Sequence, residues 1–221
     1  MKSGRQQKGE SHETKFISFC SKNKIKCIYL DANTEKKKKY LKDQQGKSPD
    51  FLCQKNNKSI FVEIKTHTLL TNEARNSKML KTIKAKKSLG LSGTTIFEPF
   101  DPLPELKGVF EGYLRGASKK FKNIKDKYSF QRVLLLDGIQ IEEIDICRIF
   151  LGKLLDVDRN TYIKKEKGLL DSTGSNVSAI VYWAENLNQY RGIQNPKARI
   201  LLSEIDFKNF FEVFTNKSVI G

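Results

Sequence analysis

The sequence predicts a mixed α/β (α+β) domain, and two observations support this fold class. Short apolar runs typical of buried strands alternate along the chain with longer segments whose apolar residues recur at helical spacing. At 221 residues and 38% hydrophobic content, the chain is long enough for one sizeable core. We therefore expect one domain over 1–221, with its core at about 10–138 and a C-terminal elaboration at 139–221.

The first predicted elements are a helix and a strand. Ser11 can cap a helix that ends near Asn23. Within that helix Glu13 shares one face with three apolar residues, so an acid lies on the face expected to be buried. The run IKCIYL at 25–30 is predicted as a strand, and the charged segment at 34–48 as a loop.

The next two strands form a predicted hairpin. The apolar runs PDFLCQ (49–54) and KSIFVEIK (58–65) are joined around Asn56 and Asn57, a pair that tolerates the positive φ of a tight turn. A turn centred there pairs residues whose numbers sum to 113. This register places every apolar residue of one strand opposite an apolar residue of the other.

The rest of the chain alternates predicted helices and strands. A lysine-rich helix is expected at 72–90, followed by a proline-rich connector. The later elements are a helix at 105–125 with a continuous apolar stripe, a strand at 132–138, a helix at 142–155, strands at 177–184 and 198–205, and a final helix at 206–214.

The predicted hairpin register sets Asp50 directly opposite Glu63. Two carboxylates about 5 Å apart repel by about 3 kcal/mol at an effective dielectric of 20. Lys65 lies on the same face and supplies one positive charge, but Mg²⁺ or Mn²⁺ held by both acids balances the charge better. The pattern therefore predicts metal-assisted attack of water on a phosphodiester, with Lys65 orienting or deprotonating the water. The alternative is an ordinary solvated ion pair at a strand end.

At these residues the sequence resembles the PD-(D/E)xK nuclease superfamily, which has the restriction-endonuclease-like fold. The matching residues are Pro49 and Asp50, then twelve intervening residues, then Glu63, Ile64 and Lys65. The resemblance implies an α-β-β-β-α-β core, with a mixed central sheet flanked by helices. It also implies that Asp50, Glu63 and the Ile64 carbonyl bind the metal and that Lys65 assists the attacking water.

The same resemblance implies two further polar residues at the site. An acid of the first helix often reaches the metal, and Glu13 is the candidate, with Glu10 as the alternative. The helix before the strand at 132–138 commonly offers a polar residue, and Lys120 at the edge of its apolar stripe is the candidate, with a surface lysine as the alternative. The long stretch from 66 to 104 departs from the family pattern and leaves the strand order there open.

The net charge of +16 favours a polyanionic partner. Two clusters of lysines are candidates for phosphate contacts, with ordinary solvated helix faces as the alternative. The first cluster is Lys78, Lys81, Lys84 and Lys87, and the second includes Lys119 and Lys120. No segment approaches the length of a membrane span and no apolar leader is present, so we expect a cytoplasmic protein that binds DNA, with RNA as the alternative, and no membrane.

Cysteine and histidine usage narrows the chemistry. The four cysteines are widely scattered, which predicts reduced, packed thiols and neither a disulfide framework nor a CxxC zinc site. Only two histidines are present, which argues against HExxH metalloprotease chemistry. The predicted function is a Mg²⁺-dependent DNA endonuclease of restriction-enzyme type. A Holliday junction resolvase and a non-catalytic nucleic-acid-binding module are the alternatives, and the sequence leaves open whether the chain forms a homodimer.

Overall fold

A mixed sheet packed between helices forms the centre of the fold, and this confirms the predicted α+β class. The computed structural model describes residues 4–66, 83–84, 88–90, 103–138, 142–156, 161–184, 187–211 and 213–214. The helices are α1 (Gly4–Lys22), α2 (Thr34–Tyr40), α3 (Leu103–Lys122), α4 (Glu143–Ile146) and α5 (Glu204–Phe210). The strands are β1 (Lys26–Tyr29), β2 (Phe51–Lys55), β3 (Lys58–Thr66), β4 (Gln131–Asp137), β5 (Lys153–Asp156), β6 (Thr161–Lys164), β7 (Ala179–Ala184), β8 (Gln189–Gln194) and β9 (Val213–Phe214).

Seven of these strands form one sheet in the order β1-β2-β3-β4-β7-β8-β9. Strands β3, β4 and β7 run parallel to one another, whereas β1, β2 and β3 form an antiparallel meander. Strands β5 and β6 pair separately as a small antiparallel hairpin. Because β4 pairs directly with β3, the segment after residue 66 does not insert a strand between them.

Two apolar layers cover the two faces of the sheet. The buried side of α3, which includes Phe110 and Leu114, packs on the face that carries Leu52 and Leu134. The other face packs against α1 and α5 through a cluster that contains Phe16, Phe51, Val62, Val133 and Phe207. Successive strand residues alternate between these layers, so their position along each strand fixes which helix they meet.

The predicted hairpin register is confirmed. Phe51 pairs with Val62, Leu52 with Phe61 and Cys53 with Ile60. The turn residues Asn56 and Asn57 have φ angles of 50° and 60°, as a two-residue turn with two left-handed positions requires. The sheet geometry therefore carries residue 50 to the level of residue 63.

Two predictions near the N-terminus were wrong. Helix α1 begins at Gly4, so Ser11 lies inside the helix and does not cap it. The segment RQQK at 5–8, before Ser11, consists of good helix formers, which explains why the helix is longer than predicted. The interval 34–48, predicted as a loop, contains α2, which begins where the Asn33 side chain accepts a hydrogen bond from the Lys36 amide at 3.0 Å.

The C-terminal third also differs from the prediction. The helix expected at 142–155 is only α4 followed by a π-helical turn (Cys147–Leu151), and Gly152 with a φ of 65° ends it before β5. The strand expected at 198–205 is absent from that interval, because β8 forms earlier and pairs with β7. The described part of the final helix, α5, ends at Phe210, before the predicted end at 214. No helix within the described ranges is both long and apolar enough to span a membrane.

Candidate active site

The four charged residues of the candidate site come from three neighbouring elements. Asp50 immediately precedes β2, while Glu63 and Lys65 lie on β3 two residues apart. Alternation along β3 directs both of these side chains to the face covered by α3, which carries Lys120 in its last turn. The predicted grouping of Asp50, Glu63 and Lys65 is therefore present, and Lys120 joins it.

Lys120 connects the two acids. Its Nζ donates to Oδ1 of Asp50 at 3.0 Å and to a carboxylate oxygen of Glu63 at 2.8 Å. The Nζ of Lys65 donates to Oε1 of Glu63 at 2.5 Å. Two ammonium groups thus stand against two carboxylates, and both acids are satisfied by charge-assisted hydrogen bonds.

The backbone of β3 fixes the orientation of Asp50. The amide of Ile64 donates to Oδ2 of Asp50 at 2.8 Å, while the other oxygen of this carboxylate faces Lys120. Hydrogen bonds to both oxygens restrict the rotation of this carboxylate. The backbone of Ile64, predicted to offer its carbonyl to a metal, is therefore next to Asp50.

Burial makes Glu63 the most electrostatically perturbed acid of this group. Its side chain is 0% exposed, whereas that of Asp50 is 14% exposed. Burial and the nearby Asp50 carboxylate raise the pKa of Glu63 to about 7, although Lys65 and Lys120 oppose the shift. Burial by itself lowers the pKa of Lys120, but the two acids outweigh it and hold that pKa above its usual value. Protonation of Glu63 is thus sensitive to any added charge at the site.

The donor set fits a hard divalent cation. Two carboxylates from adjacent strands converge on a single positive group, the Lys120 ammonium, which occupies the position between them as a cation would. Magnesium characteristically takes one or two carboxylates and completes its coordination with water and phosphate oxygens. The exposed fractions of Asp50 and Lys120, 14% and 20%, show that solvent reaches part of this side of the pair.

Glu13 belongs to α1, which packs on the face of the sheet opposite Glu63. It is half-buried, and among the described residues it does not come within 4.8 Å of Asp50 and Glu63 as a three-acid group. Burial raises the pKa of Tyr29, and the charges of Glu13, Asp31 and Asp50 add to the rise, which locates Glu13 in the same electrostatic neighbourhood. Glu10 lies within α1, and its side chain is outside the described part of the structure.

Helix α1 is held beside the sheet by a buried acid of β4. The carboxylate of Asp137, which is 0% exposed, lies 3.2 Å from Nδ1 of His12 and 3.5 Å from Nζ of Lys15. These residues flank Glu13 on α1. The pairing explains why the helix that carries Glu13 stays close to the carboxyl ends of the parallel strands.

The predicted nucleic-acid-binding lysines have different positions. Lys119 is exposed on α3, next to the inward-facing Lys120, and Lys84 is also exposed. Lys78, Lys81 and Lys87 lie outside the described residues. Of the second cluster, Lys120 therefore binds the two acids while Lys119 remains at the surface.

A basic cavity of about 430 Å³ was not predicted. Its lining includes Lys42, Lys122, Arg132 and Arg199, with Asp126 as the one acid among its lining residues. Arg132 is only 7% exposed, and its Nε has no hydrogen-bond partner within the described chain. Burial lowers the pKa of Arg132, since nothing compensates fully for its lost hydration. A buried, incompletely paired guanidinium in a basic cavity is suited to an anion such as phosphate.

One sequence signal could have located Arg132. It stands at the start of the apolar run RVLLLD, just as Glu63 stands within an apolar run, and a charge in such a run needs a partner.

Comparisons with protein-family models, with characterised proteins and with solved structures find no match to this chain. The functional conclusions therefore depend on the geometry and chemistry of the site itself.

Proposed function

We propose that this protein is a Mg²⁺-dependent endodeoxyribonuclease of restriction-enzyme type. The observation that carries the proposal is the bridge from Lys120 to both Asp50 and Glu63. Lys65 donates a further hydrogen bond to the Glu63 carboxylate. Opposed acids on adjacent strands, beside a strand lysine, match the residues on which the resemblance to the PD-(D/E)xK superfamily depends. The elements α1, β1, β2, β3, α3 and β4 follow the order that this resemblance implies, with α2 inserted between β1 and β2.

Asp50, Glu63 and the Ile64 carbonyl would hold Mg²⁺, or Mn²⁺ in its place. When bound, the cation polarises the phosphodiester and offsets the charge that develops on its oxygens. Lys65 orients the attacking water, whose oxygen forms a new bond to phosphorus. The water gives up one proton to the medium as it attacks, one phosphorus–ester oxygen bond breaks, and the departing oxygen takes up a proton. Lys120 holds the acids together without the cation; its ammonium would move aside as the cation binds and would add positive charge beside the reacting phosphate.

The basic cavity and the net charge of +16 support a polyanionic substrate. Arg132 offers donors that match a phosphate, and the exposed Lys122 and Arg199 add charge at the same cavity. Such contacts position a nucleic acid without reading its sequence. DNA is the proposed substrate, and RNA is the alternative that the assay must include.

A non-catalytic nucleic-acid-binding module is the second candidate, and one observation favours it. Lys65 and Lys120 already neutralise Asp50 and Glu63, so the fold has an internal means of balancing these acids. A Holliday junction resolvase remains the alternative within the nuclease class. The strands β7, β8 and β9, which extend the sheet beyond β4, favour the restriction type because a resolvase core does not need them.

Cleavage of plasmid DNA with and without Mg²⁺ tests the proposal. We expect Mg²⁺-dependent cleavage that is lost in Glu63→Ala and Lys65→Ala while DNA binding survives. Arg115→Ala, at an exposed position of α3 where the side chain pairs with Glu111, is the control and should cleave normally. Binding without cleavage in the wild type would support the non-catalytic module, and preference for a branched junction over linear duplex would support the resolvase.

A further inference from the structure

Three thiols from three different elements meet between α1 and the edge of the sheet. They belong to Cys20 of α1, Cys27 of β1 and Cys53 of β2, and their sulfur atoms all lie within 4.8 Å of one another. Cys27 and Cys53 are direct cross-strand partners whose sulfurs are 3.7 Å apart. The predicted reduced, packed thiols are confirmed, and three of the four pack against one another.

The distances between these sulfurs are close to those between the thiolate ligands of one metal ion. A zinc–thiolate bond of about 2.3 Å sets the sulfurs of a tetrahedral or trigonal site about 3.8 to 4.0 Å apart. The 3.7 Å between the sulfurs of Cys27 and Cys53 is close to this span, and the sulfur of Cys20 lies within 4.8 Å of both. A disulfide would instead need its two sulfurs at about 2.05 Å, and would leave the third thiol without a role.

The surroundings favour a soft ion over a hard one. Cys20 and Cys53 are each 1% exposed, while Cys27 is half-buried on the edge strand. Cys20 and Cys53 line a small apolar gap whose other walls are Phe16, Ile25, Ile60, Phe210 and Phe211. Within the described ranges, no carboxylate or imidazole joins the three sulfurs. Thiolates in an apolar setting select Zn²⁺, Cu⁺ and related ions over Mg²⁺.

We propose that Cys20, Cys27 and Cys53 bind one thiophilic d¹⁰ metal ion, with Zn²⁺ as the reference ion and solvent beside Cys27 completing its coordination. The three thiols give up their protons to the medium as the ion binds. The ion cross-links α1 to β1 and β2, on the face of the sheet opposite Asp50 and Glu63. This site is independent of the proposed nuclease activity and is structural.

The test uses the reduced full-length chain and Cd²⁺ as a spectroscopic probe. Titration should show the ultraviolet thiolate-to-Cd²⁺ charge-transfer band saturating at one ion per chain, and metal analysis after dialysis should find one Zn²⁺. Cys27→Ala should weaken binding at least tenfold. Cys147→Ala is the matched control, because Cys147 is the fourth free cysteine and is buried elsewhere. It should bind Cd²⁺ as the wild type does.

Two further measurements keep the proposal falsifiable. Because Cys20 and Cys53 are in the core, their alanine variants can fail to fold, so the half-buried Cys27 carries the test and circular dichroism checks its fold. Glu63→Gln should keep the Cd²⁺ band, which separates this site from the acid pair. Absence of a sulfur-to-metal band in the reduced wild type, or equal Cd²⁺ affinity in Cys27→Ala, would overturn the proposal.

Discussion

Replacing Glu63 by glutamine should stabilise the fold at pH 8 in the absence of divalent ions. The pKa of this buried acid is about 7 in the folded chain, against an ordinary value of 4.5. A folded-state pKa above the unfolded one means that folding favours the protonated form. That contribution is complete below about pH 4.5 and is lost as the pH rises through about 7. The difference corresponds to about 3 kcal/mol of unfolding free energy.

Urea unfolding at a series of pH values in EDTA measures this effect. Glutamine keeps the shape of the side chain without the charge, so the variant should exceed the wild type by about 3 kcal/mol at pH 8. The gap should close towards pH 4.5. Glu111→Gln, a partly exposed acid that pairs with Arg115, is the control and should show no such pH-dependent gap. A Glu63→Gln chain that is less stable than the wild type at pH 8 would refute the reasoning, because the ion pairs with Lys65 and Lys120 would then outweigh burial.

Three other outcomes are expected. Lys120→Gln should lower the unfolding free energy by about 2 kcal/mol at pH 8 and by less at pH 5, since it leaves two acids without their shared partner; Lys119→Gln should change it little in the same urea titrations. Arg132→Gln should weaken DNA binding measured by fluorescence anisotropy, and the slope of log affinity against log salt concentration should fall by about one. Arg115→Gln, on the exposed side of α3, should change neither quantity. Asn57→Ala should cost about 1 kcal/mol in thermal unfolding because φ is 60° there, and Asn57→Gly should not; equal stability of the two variants would contradict the turn assignment.

The part of the site on β2 and β3 could be predicted from the sequence because hairpin register follows from local rules. Two apolar runs and a turn at Asn56 and Asn57 allow only one pairing that matches apolar residues throughout, and that pairing opposes Asp50 and Glu63. Helix α3 was predictable for a similar reason, since its apolar residues recur at helical spacing along its whole length.

Contacts between distant segments could not be derived in this way. The resemblance and the stripe of α3 made Lys120 a candidate, but its contacts with Asp50 and Glu63 depend on how the helix packs on the sheet. The cysteines at 20, 27 and 53 lie on three elements, and the α1 packing that joins them has no local signature. Strand β8 was missed because its polar sequence QYRGIQ does not alternate between apolar and polar residues. The strand forms because this segment pairs with β7.

A Mn²⁺ titration followed by electron paramagnetic resonance, with DNA cleavage measured on the same samples, tests the acid pair most directly. The wild type should bind Mn²⁺ and reach full cleavage over the same concentration range. Glu63→Gln should lose both signals while remaining folded. Cleavage that persists in Glu63→Gln, or Mn²⁺ bound equally by both chains, would contradict a hydrolytic centre at Asp50 and Glu63.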